Sequence, residues 1–314
     1  MRPGLSQVEM SGRRALSARD IHPRGVAFAL SAAILWGFVP VYIGFVNAVD
    51  AVEIVVHRAL WSGLILYALV MFMPRLTGGI KAVRAALSTP AARLGFILSC
   101  GLLTLNWGVF VYAVMSRNVY EAALGYFIYP LVAVMFGIAL LGEKLDRWGW
   151  AAIGIVACGV LVKAQLIAGL PWIALILAVS FALYGVVRKR LGVDPVLGMF
   201  IETVILIPPA ILYLLWMYMT GGPVFFGGGA VNTMLAMLAG VITVVPLLLY
   251  HAGNRDLPIM VAGLLFYANP TTQMLIGIYH FQVPFPPSEA VTFGVIWCGL
   301  ALYFLSRRPN GQTA

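Results

Sequence analysis

An all-α polytopic membrane protein of ten transmembrane helices is the fold class this sequence predicts, on three observations. Of 314 residues, 62% are hydrophobic and only 10% charged, against roughly 25% charged in a globular protein. Ten stretches are apolar over about the 20 residues that a helix needs to cross a bilayer. Finally, Lys and Arg fall almost wholly on one side of those stretches, as the positive-inside rule requires. The same figures exclude an ordinary cytosolic enzyme, a disordered chain and a nucleic-acid binder. The net charge of +9 is instead placed at a membrane surface.

Residues 1–24 carry Arg2, Arg13, Arg14, Arg19 and Arg24 without the apolar core of a signal peptide, so a basic cytoplasmic tail is expected. The spans then run near 25–46, 52–73, 94–115, 119–141, 148–164, 171–190, 196–218, 231–251, 258–280 and 289–306. Span one has Ala29, Ala33 and Gly37 at four-residue spacing, which permits close helix approach. Span two opens on Asp50 with Glu53 three residues later, a capping-box pattern, and carries His57 and Arg58. Span three holds Asn106 and Trp107. Span four opens on Asn118 and Glu121, a second capping pattern, and contains Tyr126 and Pro130. Span five is the shortest. Span six ends in Arg188, Lys189 and Arg190, while span seven carries Glu202 inside its apolar run. Gly227, Gly228 and Gly229 read as a flexible connection into span eight. Span nine contains Tyr267, Asn269 and Pro270, and span ten follows the Pro284, Pro286 and Pro287 cluster. A short tail, 307–314, closes the chain.

With the N-terminus inside, the tail, Arg75, Lys81, Arg84, Arg93, Lys144, Arg147, Arg188, Lys189, Arg190, Arg255, Arg307 and Arg308 are cytoplasmic. Only Arg117 and Lys163 fall outside, and Arg58 stays within a span. Both termini are therefore expected in the cytoplasm.

An offset of 140 residues aligns Ala122 with Ala262, Leu124 with Leu264, Pro130 with Pro270, Gly137 with Gly277, Gly154 with Gly294, Cys158 with Cys298 and Gly159 with Gly299. Nearer the start of each half, Leu35-Trp36-Gly37 recurs as Leu183-Tyr184-Gly185. Five spans separate the matched helices, and five is odd, so equivalent helices cross in opposite directions. Two inverted five-helix repeats, 25–164 and 171–306, are expected, with a central site between them that can open to either side. That layout points to transport.

The run from Glu121 through Pro130, followed by Leu141-Gly142-Glu143-Lys144, resembles the first repeat of the drug/metabolite transporter superfamily, EamA type. Glu53, His57-Arg58, Trp61-Ser62, Leu105-Asn106-Trp107, Tyr184 through Lys189 and Ile201-Glu202-Thr203 are similar to its RarD branch. The resemblance covers about residues 25 to 306. It implies a ten-helix permease of the bacterial inner membrane that moves small metabolites or drugs. One departure is visible: where the second repeat of that family would carry Gly-Glu, this chain has Phe281-Gln282.

Charges inside a bilayer cost roughly 2.5–3.5 kcal/mol each on insertion scales, so those in spans are candidates for function. Glu53 and Glu121 read either as helix caps or as solute or proton contacts. Arg58 and Glu202 each lie seven residues inside their helix starts, about 10 Å deep, close to the midplane. Spans two and seven are the second helices of the two halves. Opposite charges there are expected to bind the ends of a zwitterionic solute, or to neutralise one another when the site is empty. The alternative for Arg58 is snorkelling to the interface. His57, at i+4 from Glu53, reads either as a proton-coupling group or as a histidine bonded to a neighbouring helix. Trp36, Asn106, Trp107, Tyr126, Tyr267 and Asn269 complete the expected substrate-binding set; Pro130 and Pro270 are expected to open helices beside the cavity.

No Walker A motif, dinucleotide fingerprint, metal-ligand spacing or Ser/His/Asp arrangement occurs, so neither a cofactor nor a metal is expected. Cys100, Cys158 and Cys298 form no CxxC pair. The function expected is secondary-active transport of a small polar or amphipathic solute by alternating access. The partners are that solute, the lipid bilayer and, as an open alternative, protons. Nucleic acid is not expected as a partner, and the oligomeric state stays open. A membrane-embedded enzyme using Glu53, His57 and Arg58 on head groups, or a receptor without flux, are the competing classes.

Overall fold

The computed structural model describes residues 21–46, 49–116, 118–165, 170–222 and 229–306. The described residues are helical with short connections and contain no strand. Among the described residues, ten spans are long and apolar enough to cross a membrane: Pro23–Phe45, Val52–Phe72, Pro90–Ala113, Glu121–Leu141, Arg147–Ala164, Trp172–Leu191, Pro195–Thr220, Ala230–Asp256, Ile259–Tyr279 and Pro287–Leu305. All ten expected spans are present. The first two of the three glycines before span eight, most of the basic tail, Arg117 and the C-terminal residues lie outside the described residues.

Burial sorts each span into two faces. Leu64, Phe72, Leu98, Trp216 and Met219 are exposed, forming the apolar surface a bilayer covers. Small residues line the inner faces, because with lipid as solvent helices gain by close packing. A Cβ on Gly253 in span eight would lie 3.0 Å from the Ala29 backbone nitrogen in span one. The alanine and glycine spacing of span one thus serves close approach, as expected.

The dominant packing partners are spans 4 and 6, 1 and 9, 1 and 8, 3 and 6, 2 and 8, 2 and 7, 4 and 9, and 5 and 10. Adding five to each span number maps these pairs onto one another, with the lighter pair 3 and 7 answering 2 and 8. The 140-residue offset also reappears between atoms. Tyr267 Oη donates to Phe127 O at 2.8 Å. A Cβ on Gly299 would lie 2.6 Å from Val156 Cγ2 and 2.9 Å from Ala152 O, while one on Gly159 would lie 2.8 Å from Ile296 Cγ1 and 3.3 Å from Thr292 O. Gly299→Leu is therefore expected to destabilise the protein by about 1–3 kcal/mol through overpacking. Gly294, whose Cβ would meet nothing within 4 Å, is expected to accept leucine with little change. Equal melting temperatures for the two variants would contradict this close seam.

Two spans are interrupted. Span one breaks at Phe38, between helices Pro23–Gly37 and Val39–Phe45. Span nine breaks at Phe266 and Tyr267, between Ile259–Leu265 and Ala268–Tyr279. Pro40 and Pro270 explain the positions: each removes the N–H that the carbonyl four residues earlier would receive. At the second break Asn269 N bonds Phe266 O instead, at 2.9 Å. Span four runs unbroken through Pro130, so only one of the two matched prolines interrupts its helix. The broken spans pack on each other, where Gly37 is seated against Thr272.

Gln282, with φ 54°, is the only non-glycine at positive φ among the described residues, and it stands at the offset position of Gly142, φ 70°. Both close a helix in the same way: Glu143 N bonds Gly137 O at 3.0 Å and Val283 N bonds Gly277 O at 2.9 Å. Gln282-Val283, one residue on from the Phe281-Gln282 read in the sequence, therefore stand in place of Gly142-Glu143, and the residue after the turn differs. Glu143 accepts from Ile259 N and Met260 N at 2.7 and 3.0 Å, capping span nine where the helix dipole favours a carboxylate. Val283 can make no such cap.

Candidate functional site

A cavity lies where spans two, three, six, seven and eight meet. It is lined by Ala59, Ser62, Leu103, Trp107, Tyr184, Met199, Glu202, Thr203, Leu206, Thr243 and Leu247. Space for the centres of water-sized molecules amounts to about 20 Å³, enough for one or two waters. A larger solute therefore needs the surrounding helices to part.

Glu202 forms one wall and is 2% exposed. Ser99 Oγ donates to its Oε1 at 2.7 Å, and Tyr184 Oη donates to its Oε2 at 3.0 Å. Arg188 Nε lies 3.3 Å from Oε1, so the carboxylate is ion-paired across spans six and seven. His251 Nε2 is 2.8 Å from Tyr184 Oη. Because the single tyrosine proton is committed to Glu202, the histidine must donate from Nε2. Gly198, one turn before Glu202, makes the arrangement possible: a Cβ there would collide with the Arg188 guanidinium. The far face of that guanidinium sits over Phe96, 5.7 Å from the ring centre.

Arg58 approaches the cavity from its other side. Its Nε donates to Thr243 Oγ1 at 2.9 Å, and its guanidinium lies over Trp107, 4.9 Å from the ring centre. Both partners line the cavity, and Tyr126 and Tyr42 lie within electrostatic reach of the guanidinium. Arg58 is thus held inward rather than snorkelling. The expected pairing of Arg58 with Glu202 is not formed; Glu202 has taken Arg188. That arginine reads in the sequence as part of a basic span end, yet it is 5% exposed inside the helix bundle.

The other expected residues separate by contact. Asn106 donates to Leu177 O and Ser180 Oγ, tying span three to span six. Glu121 accepts from Ile173 N at 2.7 Å and caps the start of span six rather than its own helix. Its expected capping partner Asn118 makes no cap and donates to Ser116 Oγ. Asp50 does cap span two, accepting from Val52 N and Glu53 N. Glu53 and His57 are buried together at 3.8 Å, away from the cavity lining. Trp36 packs edge-on against Phe181 and tilted against Tyr250 and Phe266, and Asn269 accepts from Gln273. Tyr267 is occupied by its bond to Phe127. Among the described residues no three His, Cys, Asp or Glu side chains gather as a metal would require.

Sequence reasoning gave Ser99, Arg188, Thr243 and His251 no place in the site, and read Tyr184 only as a repeat marker and as part of the family resemblance. One signal was available for Arg188: a glycine four residues before a membrane-buried glutamate leaves a notch on the same helix face.

The profile of the EamA-like transporter family matches residues 23–164. An uncharacterized transporter, YojE, of Bacillus subtilis is 36% identical over 90% of this chain and 94% of its own length. The chain belongs to the EamA-like transporter family. Proteins named RarD from Salmonella typhi and from Escherichia coli K12 are 37% and 36% identical over 90% of this chain, covering 95% and 94% of theirs. The family resemblance read from His57-Arg58, Trp107 and Glu202 is borne out across nearly the whole chain. A solved crystal structure superposes with a TM-score of 0.69 over 90% of this chain and 97% of its own, at 19% identity, a likeness of fold. This member of the EamA-like family is accordingly a multi-pass membrane protein of a transporter family.

Proposed function

We propose that the protein is a secondary-active transporter of a small polar or amphipathic solute in the bacterial inner membrane. The cavity between spans two, three, six, seven and eight is its central site. The observation that carries this reading is the small cavity inside the helix bundle with a buried carboxylate on one wall and a half-buried guanidinium beside the other. Membrane interiors keep such groups where substrate or ions pass. Two repeats of opposite topology, residues 25–164 and 171–306, rock about the site with both termini in the cytoplasm; the five-span symmetry of the packing supports that arrangement. The breaks in spans one and nine, packed on each other, supply bendable backbone as in other discontinuous transporter helices. Trp107 and Glu202 contact solute directly, and Arg58 does so through the gap between Thr243 and Trp107. Glu121, Asn106, Tyr267, Asn269 and Trp36 hold the helices that shape the site. The test is a thermal-shift screen of the detergent-purified protein against metabolites and antibiotics, followed by flux of each hit into proteoliposomes. A solute that binds only the folded state raises the melting temperature by mass action. Trp107→Ala, still folded, is expected to lose both shift and flux; hits that shift this variant equally and are not transported would sink the reading.

A further inference from the structure

Charge accounting around the cavity leaves one group unbalanced. Glu202 is neutralised by Arg188, with Nε to Oε1 at 3.3 Å, and its oxygens are further held by Ser99 and Tyr184. The second buried carboxylate, Glu53 of span two, faces His57. Among the described residues no carboxylate comes within ion-pairing distance of Arg58. Among the described residues, the partners of that guanidinium are neutral: it donates to Thr243 Oγ1 and lies over the Trp107 ring, with Tyr42 and Tyr126 within electrostatic reach. A half-buried cation with only such partners is incompletely compensated, and in low dielectric its field reaches into the cavity its partners line. The remaining lining is mostly apolar, with Ala59, Leu103, Met199, Leu206 and Leu247, and the hydroxyls of Ser62 and Thr203 are turned to the carbonyls of Gly240 and Met199.

We infer that the site selects an amphipathic organic monoanion, whose single negative group completes the coordination of Arg58 while its apolar body lies along the leucines and Trp107. This rests on the transporter reading above and replaces the zwitterion that the sequence suggests. An ammonium group would have to displace Arg188 from Glu202, leaving a second buried cation unpaired.

The test needs no natural substrate. Ser62 lines the cavity one helical turn from Arg58. Ser62→Cys is placed in a background with Cys100, Cys158 and Cys298 replaced by alanine, and the full-length protein in proteoliposomes is labelled with anionic sulfonatoethyl or cationic trimethylammonioethyl methanethiosulfonate. Relative to a small thiol in solution, the rate ratio is expected to favour the anionic reagent by roughly tenfold or more, the effect of one focused charge. Arg58→Gln is expected to abolish that preference and Arg58→Lys to retain it. The comparison with the free thiol stands even if Arg58→Gln does not fold. A ratio equal to that of the free thiol, or one favouring the cation, overturns the inference while leaving transport intact. Failure of both reagents to reach the cysteine from either side overturns the transporter reading, and this inference with it.

Discussion

Glu202→Ala is expected to lower the melting temperature of the purified protein by roughly 10 °C. Removing one partner of a buried ion pair leaves the other charge uncompensated, at about 3–5 kcal/mol, and each kcal/mol is worth about 2–4 °C in a domain of 150–250 residues. The orphaned group would be Arg188, which is 5% exposed and held between Gly198 and Phe96. Replacing both charges, as Arg188→Met with Glu202→Leu, is expected to restore most of the lost stability, because similar-sized apolar pairs substitute well for buried ion pairs. The doubly neutral protein should still fail to transport, having lost the carboxylate wall of the cavity. Stability that falls no further for the single variant than for the double would show that Arg188 and Glu202 are not coupled.

Gly198→Ala is expected to cost nearly as much, although the substitution is ordinarily favourable. Alanine in a helix gains about 1 kcal/mol over glycine. Here the added Cβ occupies the space of the Arg188 guanidinium. A flexible arginine could retreat cheaply, but this one is pinned on one side by Glu202 and on the other by Phe96. Retreat breaks the ion pair, and that loss outweighs the helix gain severalfold. The check is a double-mutant cycle: Gly198→Ala should destabilise the protein carrying Arg188 and be neutral or stabilising with Arg188→Met. A gain in melting temperature in both backgrounds would place the guanidinium elsewhere. Gly154→Ala, with nothing within 4 Å of the new methyl, serves as the control.

The legible parts of the site were those that a linear pattern can carry. Glu202 and Arg58 stand out because a charge in an apolar run of that length is conspicuous wherever its helix packs. Trp107 was found with them, one residue from Asn106, but the two turn to different neighbours: Trp107 to the cavity and Asn106 to the backbone of span six. No pattern separates them, since adjacent residues on a helix point about 100° apart and only packing says which direction faces the cavity. Arg188 was hidden by its company. Next to Lys189 and Arg190 it reads as a basic span end, while its side chain runs back into the bundle toward Glu202. Lys189 turns to the carbonyls of Asn254 and Leu257, and Arg190 to Leu140 O, so three neighbouring cations have three different fates.

The sequence by itself determined the class and the number of spans, because length and apolarity are local quantities. Where the spans bend was only half legible: Pro270 breaks its helix as expected, Pro130 does not, and the break before Pro40 was not read, since a proline acts on carbonyls in its own turn but packing decides whether the helix yields. The sequence also marked which side chains are too costly to sit in a bilayer without a partner. Only the tertiary structure decided who the partners are. Pairing depends on the rotation and crossing of helices far apart in the chain, and these follow from close packing at Gly198, Gly253 and Gly299 summed over many contacts. The consequence is a change of chemistry: once Arg188 takes Glu202, Arg58 is left beside the cavity with, among the described residues, a hydroxyl and a ring as its partners.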